Sequence, residues 1–89
     1  MNLGGNNMDR QVLLDQMTEF LKEAMMGRVS EVKPDDDLAR DVGLDSMGAV
    51  EFISMVEDEF NISVTGEELS NIKTLNGAAD LVSKKTDSQ

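Results

Sequence analysis

Three runs of apolar residues in this chain repeat at the period of an α-helix. Leu13, Met17, Phe20, Leu21 and Ala24 form one stripe. Ala49, Phe52, Ile53, Val56 and Phe60 form a second, and Leu75, Ala78, Ala79 and Val82 a third. Spacings of three and four residues place each set on one side of a helix and leave charged and polar residues on the other. A helix with one apolar side must bury it, and in a chain of 89 residues three such helices have little to bury it against except one another. The expected fold is therefore all-α: an antiparallel four-helix bundle of three longer helices and one short one, with a long loop between helices 1 and 2.

Local signals set the boundaries. The first helix is expected over about residues 9–26, with Gly27 supplying the left-handed residue that closes it and Met17, Met25 and Met26 serving as packing. The second should begin at Asp45 or Ser46 and end at Phe60. Thr65 followed by Glu68 is a capping-box pattern for a short third helix. Thr74 is a cap for the fourth, and Lys84 and Lys85 suit the negative end of its dipole. In the long connection, Pro34 blocks a continuous helix, Val29, Val32, Leu38, Val42 and Leu44 are candidate anchors, and 38–42 has room for a single turn. The organisation expected is a flexible tail over 1–8, one domain over 9–85 and a frayed end over 86–89.

Composition removes several functions. The chain contains no Cys and no His, and so lacks a disulfide framework, a nucleophilic thiol, thiolate and imidazole metal ligands and the commonest general base. No catalytic residue is assigned, and the chain is not expected to be an enzyme. The run Asp35-Asp36-Asp37 does not make a calcium loop: counting from Asp35, Ala39 falls at position 5, Arg40 at the glycine position 6 and Ser46 at the glutamate position 12. No metal site is assigned. The first residues have neither the basic nor the apolar region of an export signal, and no apolar run reaches the length of a membrane span, so a cytoplasmic location is expected.

The charge is unevenly placed. Residues 35–68 hold eleven acidic side chains and one basic, Arg40, which accounts for the entire net charge of −10. Such a surface repels nucleic acid and steers basic protein surfaces toward it with salt-dependent rates. It is either a solubilising face or a docking face.

Within that acidic stretch lies Gly43-Leu44-Asp45-Ser46-Met47, followed by Val50, Glu51 and the helix end Glu57-Asp58-Glu59-Phe60. Taken alone, Asp-Ser ahead of an apolar run reads as a helix cap. The joint pattern resembles the phosphopantetheine-attachment region of acyl carrier proteins, whose usual form is Asp-Ser-Leu, and the resemblance extends over about residues 13–82. It implies that Ser46 receives a 4′-phosphopantetheine arm from coenzyme A, with Asp45 and Met47 flanking the attachment point. It implies that Asp41, Val50, Glu51, Ser54, Glu57 and Asp58 belong to the surface that partner enzymes read. Those partners would be a phosphopantetheinyl transferase, an acyl-loading ligase or transferase, and ketosynthase-type enzymes with basic patches, serving fatty acid or polyketide-type synthesis. A monomer is expected.

Three positions depart from the family's usual pattern. Met47 replaces Leu, a volume-conserving exchange. Gly48 costs up to ~1 kcal/mol relative to Ala in a helix. Ser54 stands where fatty acid carriers often have an apolar residue. Asp-Ser-Met-Gly is also similar to D-alanyl carrier proteins, so an aminoacyl cargo stays open, as does an unmodified acidic adaptor in which Ser46 only caps the helix.

Overall fold

The structure is a computed structural model that describes residues 9–87. It contains four helices: α1 (Arg10–Ala24), α2 (Ser46–Phe60), α3 (Gly66–Asn71) and α4 (Leu75–Asp87). They form a small helical bundle in which α1 packs against both α2 and α4. The expected tail over 1–8 and the last two residues lie outside the described residues, and α4 continues two positions past the expected boundary at Lys85.

Each stripe faces the core, as its spacing requires, with Phe20, Ala49 and Phe60 half-buried at its margin. From α1 come Leu13, Leu14, Met17, Leu21 and Ala24, from α2 Phe52, Ile53 and Val56, and from α4 Leu75, Ala78, Ala79 and Val82. Leu38 of the long connection and Ile62 after α2 complete the core. Val29, Val32, Val42 and Leu44 are half-buried against it. No buried residue is polar or charged among those described, so the interior is held by apolar burial and dispersion alone.

The end of α1 differs from expectation. The helix stops at Ala24, and both Met26 (φ 57°) and Gly27 (φ 76°) are left-handed. The Met26 and Gly27 amides donate to the carbonyls of Glu23 and Lys22, each at 3.0 Å, which satisfies acceptors a helix end would otherwise leave bare. This early turn keeps Met25 in the core and turns Met26 outward. Met25 is 5% exposed and Met26 83%, so Met26 is not the packing residue expected.

The long connection is folded by its own polar groups. Residues 38–42 form turns; Asp37 accepts the amides of Ala39 and Arg40 through one carboxylate oxygen, at 3.0 and 2.8 Å. The Asp37 carboxyl lies below the usual carboxylate range chiefly because of the Arg40 amide, with the Ala39 amide and the charges of Arg40 and Lys73 adding to it. The loop is then tied to the bundle by backbone bonds from Leu38 N–H to the Lys73 carbonyl (2.9 Å) and from Leu44 N–H to the Leu38 carbonyl (2.8 Å).

The short helix has the expected capping box. Thr65 accepts the Glu68 amide and Glu68 accepts the Thr65 amide, at 3.1 and 2.9 Å. Glu68 also pairs with Lys85 of α4 at 3.0 Å. None of the α3 side chains is fully buried, so this helix depends on polar ties more than the others do. In α4, Thr74 accepts the Gly77 amide at 3.0 Å, as its position as a cap requires.

Two expectations follow. Phe52 is 1% exposed, and Phe52→Ala should cost about 3–5 kcal/mol, a large share of the stability of so small a domain, read as a lower urea midpoint; Val12→Ala, at a half-exposed position, should change it little. The Glu68 carboxyl is held below its ordinary value first by the Thr65 amide and then by Lys85. Its stabilisation is therefore present above the unfolded glutamate value and is lost as pH falls through the lower folded value. Glu68→Gln should make the acid limb of the unfolding curve shallower, measured by thermal midpoints from neutral pH into the acid range.

Candidate attachment site at the mouth of α2

The start of α2 assigns its capping work to one residue and leaves the next one spare. Asp45 has extended backbone (φ −93°, ψ −178°) and is the N-cap. Its carboxylate accepts the Gly48 amide at 2.8 Å, and its carbonyl accepts the Ala49 amide at 2.9 Å. Ser46 is the first helical residue and is exposed. Its hydroxyl makes no hydrogen bond to the described chain. The reading of Ser46 as the helix cap is therefore replaced: Asp45 caps, because a carboxylate one residue earlier reaches the third helical amide with good geometry.

Gly43 and Gly48 each have a physical role here. Gly43 sits at φ 87° in the turn that delivers the chain to α2. Gly48 is buried, and a Cβ built on it would come within 2.8 Å of Leu44 Cδ1 and 3.1 Å of the capping oxygen of Asp45. The helix-propensity cost noted above thus makes room for Leu44 to lie across the first turn. This contact was not foreseen; its signal was a glycine in an otherwise good helix start, which often marks a close approach.

Beyond the serine, α2 offers an unusual surface. Met47 is 82% exposed and Val50 55%, two large apolar side chains on one side of an otherwise charged helix. Ser46, Met47, Val50, Glu51 and Ser54 line a single open groove. Asp58 is exposed one helical turn past Ser54 and continues the same side. Two other expected contact residues, Asp41 and Glu57, also have partners within the chain. The Asp41 carboxylate accepts the Asp37 amide at 2.9 Å and lies 3.6 Å from Arg40, while half-buried Glu57 accepts the Val64 amide at 2.8 Å. Among the described residues no group of three or more acidic side chains is placed to hold a metal ion.

The chemistry this mouth can perform on its own is slight. A hydroxyl with no hydrogen-bonded base is a weak nucleophile, so activation has to come from another protein. What the mouth can do is accept an anionic substituent: exposed amides and the positive end of the α2 dipole favour a phosphate ester at the first helical position.

Comparison with known proteins fits this geometry. Residues 11–82 match the family model described as a phosphopantetheine attachment site, and these residues include the α2 mouth. The chain belongs to the acyl carrier protein family. It is 30% identical over 78 residues to an acyl carrier protein of Guillardia theta, covering 88% of this chain and 96% of that protein. It is 26% identical over 79 residues to one from Acidothermus cellulolyticus, covering 89% and 94%. A solved structure from Mycobacterium tuberculosis, described as an acyl carrier protein, superposes with a TM-score of 0.73 at 22% identity over 81% of this chain and 96% of its own, which shows the shared fold. Members of this family are carriers and not catalysts, and their prosthetic group is 4′-phosphopantetheine.

The two neighbouring side chains should separate cleanly by mutation. Asp45→Ala should lose about 1 kcal/mol of stability as the α2 cap is removed, whereas Ser46→Ala should stay within about 0.5 kcal/mol of the parent, both measured by urea unfolding.

Proposed function

We propose that Ser46 is the attachment point of the 4′-phosphopantetheine arm, and that the chain shuttles acyl groups between enzymes of fatty acid or polyketide-type synthesis in the cytoplasm. The observation that carries this reading is the exposed Ser46 hydroxyl, without an internal hydrogen bond and next to a carboxylate that has already capped the helix. When bound, the arm supplies a terminal thiol on which acyl cargo is carried. The chain's own residues present the serine, stabilise the phosphate diester at the helix mouth and offer a surface to partners.

That surface combines a small apolar contact with surrounding negative charge. Met47 and Val50 would enter an apolar recess on a partner, and Asp45, Glu51 and Asp58 would face basic side chains around its rim. Ser54 would limit the apolar strip to about one helical turn. Exposed charge pairs add more to encounter rate than to affinity, which suits a monomeric carrier that must dock and leave repeatedly. The first visitor would be a phosphopantetheinyl transferase, followed by a loading ligase or transferase and a ketosynthase-type enzyme. A tether of this kind raises the local concentration of cargo at whichever enzyme is engaged.

Incubation with a broad-specificity phosphopantetheinyl transferase, coenzyme A and Mg²⁺ tests the reading by intact mass. The parent chain should gain one arm and Ser46→Ala none, at an initial rate that falls as salt is raised. A folded parent chain that stays at its original mass would overturn it.

A further inference from the structure

Glu57 was expected to face partners, yet its side chain is already engaged. Three acceptor contacts converge on this residue at the end of α2. Its carbonyl takes the amides of Asn61 and Ile62, the latter at 3.2 Å, and its carboxylate reaches seven residues ahead to the Val64 amide at 2.8 Å. Asn61 is left-handed (φ 55°) and reverses the chain, Ile62 enters the core, and Val64 immediately precedes the Thr65 cap of α3.

The leading end of the helix that follows is otherwise held by polar contacts alone, its capping box and the pair between Glu68 and Lys85. No α3 side chain is fully buried; Leu69 and Ile72 are half-buried. The trailing end is fastened by the bond between Leu38 N–H and the Lys73 carbonyl. Beside α3 lies a groove of about 220 Å³, lined by Leu69 and Ile72, by Ala49 and Phe52 of α2, and by Leu38 and Leu44 of the long connection.

We propose that Glu57 is a positioning residue whose carboxylate clips the α2–α3 connection to the end of α2, fixing the leading end of α3 and so the width of the groove beside it. A charge-assisted bond to a backbone amide is stronger than a neutral one, and here it satisfies the N–H of half-buried Val64. Asp58 and Glu51, which are exposed, are left as the acidic contacts on that part of α2. The inference does not depend on Ser46 being the attachment point.

Two conservative variants of the full chain distinguish a clip from a docking charge. Glu57→Asp keeps the charge and shortens the reach; Glu57→Gln keeps the reach and the acceptor while removing the charge. Amide hydrogen exchange followed by NMR should show faster exchange at Val64 and through α3 in Glu57→Asp, by roughly tenfold or more, with Glu57→Gln much closer to the parent. Arm transfer onto the chain should proceed at the parental rate in both. Exchange at Val64 that is unchanged in Glu57→Asp, or accelerated at least as much in Glu57→Gln, would overturn the proposal. So would a transfer rate that drops in Glu57→Gln while α3 exchange stays parental, since that is the signature of a docking carboxylate. A parent chain that accepts no arm would count against Ser46 and leave the exchange result to be read by itself.

Discussion

The hydrogen bond from the Gly48 amide to the Asp45 carboxylate is the interaction on which the site depends. A helix start must find acceptors for its first amides, and serine is among the residues that commonly provide one. Here aspartate provides it from the preceding position, and the serine beside it is released from any structural duty. The same turn is braced from below, because Leu44 crosses the first turn at Gly48, where no larger residue fits without displacing it. Leu44 is bonded through its amide to the buried Leu38, and Leu38 in turn to Lys73 ahead of α4. The mouth of α2 is thus connected by backbone bonds to the chain between α3 and α4, which gives an exposed hydroxyl a fixed address.

Apolar burial and net charge are divided between different parts of the molecule. The core is apolar among the described residues and is built around α1, which contacts both other long helices. Net charge lies elsewhere, in the long connection, α2 and the start of α3. Negative side chains so concentrated repel one another, and several are quieted locally by backbone amides: Asp37 by Ala39 and Arg40, Asp41 by Asp37, Glu57 by Val64, Glu68 by Thr65. Acidic groups in this fold therefore serve in two capacities. Some order turns and caps, and others, such as Glu51 and Asp58, remain exposed and contribute to the negative field of this surface.

Much of this was legible from the residues. Helical period alone located the three long helices, because an apolar stripe in a small chain has one physical use, and the Thr65–Glu68 pattern located the short one because its two reciprocal bonds require that spacing. The end of α1 was less legible: burying Met25 while closing the helix demanded a left-handed Met26, a conformation that a methionine does not advertise. Asp45 and Ser46 are both good capping acceptors by sequence, and only the fold shows that Asp45 is the one that reaches Gly48. The family resemblance implies that Asp41 and Glu57 belong to the docking surface, and says nothing of their bonds within the chain. Their backbone partners lie four and seven residues away, at separations where loop geometry rather than helical spacing decides contact. Family resemblance supplied what periodicity could not, namely a reason for an exposed serine to be there at all.

The central claim is that one hydroxyl, spared by its neighbour's cap, is the place where the arm is joined. Several other serines are also exposed, including Ser30, Ser54, Ser63 and Ser70, so exposure by itself does not choose among them. Fragmentation mass spectrometry of the modified chain addresses this choice directly. The account predicts the full mass of the arm on fragments containing Ser46 and none on fragments carrying the other serines; an arm found on Ser54 or on any serine other than Ser46 would contradict it.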